Sequence, residues 1–480
     1  MSAPAPDGIA MPDALPVAPR AGFWALVRES LAGSRRDLTA ETLSRAILLL
    51  AVPMVLEMVM ESIFAVSDIF WVSKLGPDAV SVGVCTESLM TILYTLAMGL
   101  AMGTGALVAR RTGAKDPAGA ARAAFQSILL GAAVASVIGL VGAVWGTQLM
   151  ALMGAPPGAL AMGAAYPRIM VGGSVTVLLL FVINAAFRGA GDASITMRTL
   201  WLANGINIAL GPCLIFGWGP FPRLGVTGAA VATTIGRGVG VLYQVRALAR
   251  GRGRLRLTRA ECVPDRETQL AILRLSWSGT IQMFIGMASW IALVRIVSRF
   301  GSNVLAGYGI AFRVVMFALL PSWGLGNAAA TLVGQNLGAR RPERAEQAVW
   351  RAAFYNLIFL GAVGALFVVF ADDVIRVFSP LPEVVAAGGR CLRIVAAGFF
   401  FYAYGMVVNQ AFNGAGDTRT PMVINFVCFW VWEIPVATLL AGRATFGPSG
   451  IFFAIATAFS LSAVLGVAWF RRGRWKSVQV

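Results

Sequence analysis

Arg188-Gly189-Ala190-Gly191-Asp192-Ala193 returns 225 residues later as Asn413-Gly414-Ala415-Gly416-Asp417-Thr418. The same offset pairs Gly76 with Gly301, Gly99 with Gly324, Gly113-Ala114 with Gly338-Ala339, Pro117 with Pro342, Asn184 with Asn409 and Gly225 with Gly450. Single glycine matches are cheap in a chain with 54 Gly. One constant offset from Gly76 to Gly225 is not, and it marks an internal duplication.

The duplicated unit is intensely apolar. Of 480 residues 58% are hydrophobic and 13% charged, with a mean hydropathy of +0.76. Soluble domains carry about 25% charged residues, so an ordinary globular enzyme, a disordered chain and a disulfide scaffold are all excluded. Twelve apolar stretches approach or exceed the ~20 residues that cross a bilayer as helix. They fall at 46–72, 80–109, 123–149, 161–187, 199–217 and 226–248, then at 275–297, 304–332, 352–370, 391–412, 421–440 and 451–470. Six spans per copy is an even number, so both copies enter the membrane from the same side. The expected fold is an all-α polytopic membrane protein, its twelve transmembrane helices in two six-helix lobes. A parallel repeat relates the lobes through a pseudo-twofold axis along the membrane normal.

The expected organisation is a disordered or amphipathic N-terminal segment (1–44), an N-lobe (45–248), a basic linker (249–274), a C-lobe (275–470) and a basic tail (471–480). Residues 1–20 are rich in proline and alanine and lack the build of a secretory signal. Residues 21–36 suit either a short amphipathic surface helix or a plain linker. The net charge of +17 would suggest nucleic acid in a soluble protein. Here the basic residues concentrate in alternate loops, most densely between 246 and 274, which reads as membrane topology with no nucleic-acid partner. That bias places both termini in the cytoplasm and the chain in the cell (inner) membrane. A pseudo-symmetric monomer suffices.

Histidine is absent, which removes His triads, His metal sites and imidazole relays. Cys85, Cys213, Cys262, Cys391 and Cys428 show no CxxC spacing and read as isolated thiols.

An ionised group at mid-bilayer costs ~2.5–3.5 kcal/mol on insertion scales and needs a reason to be there. The candidates are Glu57, Glu61 and Asp68 in the first span, Glu87, Arg237, Arg295, Arg313 and Glu433. At ~100° per residue the three first-span acids form one stripe over ~16 Å of helix axis. Such a stripe belongs on a cavity or against neighbouring helices, where it can bind protons or share a sodium ion at Asp68. Alternatively, Glu57 or Glu61 pairs with Arg237 or another helix. Pro53, one turn earlier, and Pro321 in the eighth span are hinge candidates. Asn184, Gln282, Trp277, Trp290, Tyr402 and Asn409 are candidates to line a substrate cavity, the aromatic ones suiting flat or cationic organic compounds. The Gly-Ala-Gly-Asp segments lack the strand and Lys-Ser/Thr of a phosphate loop. They read as tight turns whose Asp192 and Asp417 cap the following helices.

Twelve spans in two parallel sixes, the stretch SDIFWVSKLGPDAVSVGV at 67–84 and the paired Gly-Ala-Gly-Asp turns resemble the multidrug and toxic compound extrusion (MATE) family. The resemblance covers about residues 45–470. It implies a secondary active antiporter that exports amphipathic or cationic organic compounds in exchange for protons or sodium, with no cofactor and no enzymatic activity. The family's first-helix aspartate falls on Asp68. In the DinF-like branch it joins an asparagine of the fifth span, here Asn207, and an acid four residues on, where this chain has Gly211. Glu57 or Glu61 is the candidate replacement for that acid. The NorM-like branch places acids in the seventh and tenth spans, and 275–297 and 391–412 hold neither Asp nor Glu. The resemblance therefore favours the DinF-like branch. The alternative cargo is a lipid-linked precursor, carried by a flippase of similar two-lobed build.

Overall fold

The computed structural model describes residues 22–34, 36–251, 253–442 and 446–478, so the expected disordered tail at 1–20 lies outside the described residues. A short helix α1 (Phe23–Ala32) precedes the spans α2 (Leu43–Ser73), α3 (Pro77–Gly113) and α4 (Pro117–Leu152). The fourth span is built from α5 (Pro157–Gly163), α6 (Ala165–Gly172) and α7 (Ser174–Ala190), and α8 (Ala193–Phe216) and α9 (Val226–Arg250) close the first half. The second half repeats the order with α10 (Arg266–Val297), α11 (Ser302–Gly338) and α12 (Pro342–Arg376). Then come α13 (Pro382–Ala397), α14 (Phe399–Ala415), α15 (Arg419–Asn425), a π-wound segment (Phe426–Glu433), α16 (Ile434–Ala441) and α17 (Pro448–Arg471).

Local sequence explains the ends. Proline opens α3, α4, α12, α13 and α17, where its missing N–H costs nothing. Gly191 (φ 89°) and Gly416 (φ 86°) end α7 and α14 in the left-handed region that glycine adopts freely. The two Gly-Ala-Gly-Asp turns are thus helix stops, but their aspartates differ. Asp417 accepts from the Thr420 amide and hydroxyl, as a cap does. Asp192 instead accepts from the Arg254 backbone amide at 2.5 Å, tying the inter-half linker to the turn.

Ten helices among the described residues are long and apolar enough to cross a membrane, and the α13–α14 pair, bent by 59°, brings the number to eleven. The remaining expected span is α9, whose 25 residues include Arg237, Gln244 and Arg246 and so dilute its hydropathy. The fold is all-helical and polytopic. The breaks fall at repeat-related glycines: Gly173 separates α6 from α7, and Gly398 separates α13 from α14. At the expected hinges Pro53 and Pro321, α2 and α11 run on without a break, because a helix interior can lose one backbone bond when neighbouring helices hold it.

The pseudo-twofold relation appears in the contacts themselves. A Cβ at Gly99 would sit 2.0 Å from the Thr280 hydroxyl, and one at its equivalent Gly324 would sit 2.9 Å from the Val55 amide. Val55 and Thr280 are themselves 225 residues apart. Likewise a Cβ at Gly113 would lie 1.9 Å from the Gln335 carbonyl oxygen, and one at Gly338 would lie 2.0 Å from that of Arg110. Arg110 and Gln335 are again repeat partners. Small residues let the backbones approach this closely, so α2–α11, α3–α10 and α3–α11 form one self-complementary seam.

Candidate functional site

The acidic stripe of α2 faces into the first half, and each acid meets a different neighbour. Glu57 is almost fully buried. It accepts from Arg188 of α7 at 2.7 Å and from the Thr196 hydroxyl of α8 at 2.9 Å. The expected alternative partner Arg237 is therefore not the one used: Arg188, the arginine that opens the repeated turn, reaches Glu57 first. Glu61, one turn on, accepts from the Asn204 amide at 2.9 Å.

Asp68 lies at the far end of the stripe. It forms no hydrogen bond and no close ion pair among the described residues. The electrostatic neighbours of its carboxylate are Arg237 of α9 and Glu87 of α3, and it acts in turn on Tyr166 of α6. Arg237 donates to the Tyr94 hydroxyl at 2.9 Å and packs near that ring, while its second terminal nitrogen, also buried, has no partner. The site thus holds two acids of α2, one of α3 and a guanidinium.

Asn207 of α8 gives its amide to the Thr233 hydroxyl at 2.7 Å rather than to Asp68. A Cβ at Gly211 would meet nothing within 4 Å, so the position of the missing acid is open space. Glu57 does not fill it, being committed to Arg188.

The six cavity candidates do not converge. Asn184 bonds Gln244 within the first half at 2.6 Å, and its repeat partner Asn409 approaches Ser462 at 3.4 Å. Tyr402 stacks on Phe459 with centroids 4.4 Å apart, and Trp290 stacks on Phe312 at 5.6 Å. Gln282 is buried with its carbonyl oxygen unpartnered. Trp277 is 70% exposed and lines a recess of about 400 Å³ with Arg274, Ser278, Ile281, Arg419 and Met422. Arg295 and Arg313 are exposed and meet no acid among the described residues.

One end of the bundle is sealed. Every hydrogen bond found between the two halves among the described residues lies at the end that carries both termini. Arg110 donates to the Ala415 and Val478 carbonyls, Gln335 to Gly189 and Thr331 to Arg188. Residues 36–41 strap the same end. Arg254 of the linker donates to the Arg36 carbonyl, Arg341 to Thr39 at 2.9 Å and Arg344 to Glu41, with Leu38 buried between them. Burial works against the Asp37 carboxylate in this strap, but the Thr39 hydroxyl and amide donate to it and hold its pKa below the usual value. This network was invisible in sequence, because its acceptors are mostly backbone carbonyls.

Two repeat-related helical halves, sealed together at one end and carrying ionisable groups inside one half, define a membrane transporter and not an enzyme. The chain belongs to the MatE family, which matches it twice, at residues 53–213 and 280–439, once in each half. Among relatives, it is 27% identical over 440 residues to a probable multidrug resistance protein, YoeA of Bacillus subtilis, covering 91% of this chain and 95% of that one. Crystal structures of MATE in the bent and in the straight conformation are 26% and 27% identical to it, each with a TM-score of 0.84, and each match covers 91–92% of this chain and 97% of the other.

Proposed function

We propose that the protein exports amphipathic or cationic organic compounds across the inner membrane, in exchange for protons or sodium ions, by alternating access between an N-lobe (45–248) and a C-lobe (275–470). The sealed end is the cytoplasmic one, with both termini there, as the distribution of basic residues argues. The chain acts as a monomer, and its coupling mode is DinF-like, seated in the first lobe.

One observation carries this reading: Asp68 is an intramembrane carboxylate with no close partner, set beside Glu87, Arg237 and Tyr166. A group left unpaired in a low-dielectric site is held ready for a ligand, because an unpaired buried charge is costly. Cation binding there changes the charge facing Arg237. A coupling ion drives the cycle only if it binds one arrangement of the lobes better than the other, and α2 touches both lobes, through Glu57–Arg188 and through its contact with Gly324 of α11. Glu61 is the second coupling group, with Asn204 as its support. Glu57 is a positioning residue locked to Arg188. Asn207 and Thr233 form the polar wall beneath the open space at Gly211.

The test is substrate-stimulated proton or sodium counterflow in proteoliposomes, with Glu57, Glu61 and Asp68 neutralised one at a time. Counterflow that depends on Asp68 and Glu61 is expected. Counterflow unaffected by either neutralisation overturns the assignment, and competition by a lipid-linked sugar with none by organic cations overturns the cargo.

A further inference from the structure

The second half holds a buried acid that the coupling scheme above does not use. Glu433 is 3% exposed and ends the π-wound segment of the eleventh span. It accepts from the Ser289 hydroxyl of α10 at 2.8 Å and has no ion-pair partner among the described residues. Glu433 also acts electrostatically on Tyr308 of α11, whose own hydroxyl is 99% buried with its residue, meets the Trp290 indole and completes no hydrogen bond of normal geometry. The titratable groups facing this pocket are Tyr308, Cys428 on the same segment and Cys391 of α13 beside Tyr308. No lysine or arginine is among them.

The local winding sets this residue apart. π-Segments are rare and cluster at functional sites. This one ends two residues before Pro435, which has no N–H to give a carbonyl one turn back. It presents Glu433 inward, against α10, instead of along the helix face. A carboxylate buried without a positive partner is strongly unfavourable. Two hydroxyls and a carboxylate form an all-oxygen donor set, the kind that hard cations take.

We propose that Glu433, with Ser289 and Tyr308, is a second monovalent-cation site, in the C-lobe, and that each export cycle moves one more positive charge inward than the Asp68 site alone accounts for. The occupant is a proton or a sodium ion, which share this chemistry. The inference rests on the antiport reading of the preceding subsection.

The experiment uses full-length protein in proteoliposomes with tetraphenylphosphonium as cargo. The membrane potential at which net cargo flux vanishes is measured first under a fixed proton gradient, then under a fixed sodium gradient. For Glu433→Gln the expected shift in that potential corresponds to the loss of one charge per cargo, in the arm that supplies the ion, while cargo binding in detergent is retained. A merely structural role would change the transport rate and leave the potential where it is. An unchanged potential in both arms overturns the proposal. Ser289→Ala and Tyr308→Phe keep the test open if the glutamine variant fails to fold. Each should leave the charge count intact and weaken the dependence on the coupling ion by roughly tenfold, as expected for one lost bond to a charged group. No change in either variant also counts against the site. Loss of counterflow in Asp68→Asn with a wild-type potential in Glu433→Gln would remove this site alone, whereas absence of counterflow in the wild type would remove the parent reading.

Discussion

Gly113 and Gly338 are the tightest points of the sealed end, and adding one methyl group to each should open it. A Cβ would stand 1.9 Å from the Gln335 carbonyl oxygen in one case and 2.0 Å from that of Arg110 in the other. Ordinary contacts lie near 3.5 Å, so α3 and α11 must separate by about 1.5 Å, and both obstacles are backbone atoms that cannot rotate away. Overpacking of this kind costs about 1–3 kcal/mol, which displaces a two-state equilibrium about 5-fold to 150-fold. The two substitutions share one seam, so their effects will not simply add. Spin labels at Ala118 and Glu343, exposed and repeat-related at the starts of α4 and α12, report the separation by pulsed EPR. Gly113→Ala and Gly338→Ala should each shift the distance distribution outward. Gly205→Ala, where a Cβ meets nothing within 4 Å, should not. Wild-type distances in the Gly113→Ala, Gly338→Ala double variant would refute the claim that this seam is the closed gate.

Removing Glu57 strands Arg188 in a nearly closed site. Glu57→Ala should therefore cost about 3–5 kcal/mol of stability, and Glu57→Leu with Arg188→Met should recover most of it; single variants within about 1 kcal/mol of wild type in thermal unfolding would contradict the structural role. Pro53→Ala restores a donor for the Leu49 carbonyl in a helix that is already continuous. Export should slow while cation affinity at Asp68 holds, and an unchanged rate would take Pro53 out of the cycle. Asp265 caps α10 through the Glu267 and Thr268 amides, so Asp265→Ala should cost about 0.5–2 kcal/mol. The Thr268 hydroxyl holds this carboxyl's pKa below its ordinary value. The cap's contribution is thus complete above the ordinary carboxylate range and fades as pH falls through the depressed value. Stability curves of variant and wild type that stay apart in acid would contradict the sign.

The repeat made much of the fold legible. An offset visible as glycines turned out to mark places where backbones meet across the pseudo-twofold axis, and Gly99, Gly113, Gly324 and Gly338 needed no alignment to be found. The breaks were less readable. Proline draws the eye because it removes a hydrogen bond, yet Pro53 and Pro321 sit in unbroken helix. The chain bends instead at Gly173 and Gly398, which sequence could have flagged as one more pair at the same offset. The α2 stripe was readable from angular spacing, but its partners were not: Arg188 was hidden inside a turn motif, and its reach to Glu57 depends on how α7 packs. The aromatic candidates show the opposite failure. Trp290 and Tyr402 satisfy themselves on Phe312 and Phe459, and composition cannot tell a stacked pair from a cavity wall.

The coupling claim is tested most directly by gradient-driven export in vesicles carrying Asp68→Asn. Export should collapse to the rate seen without a gradient, while cargo still binds in detergent. Full gradient-driven export by that variant would contradict the account at its centre.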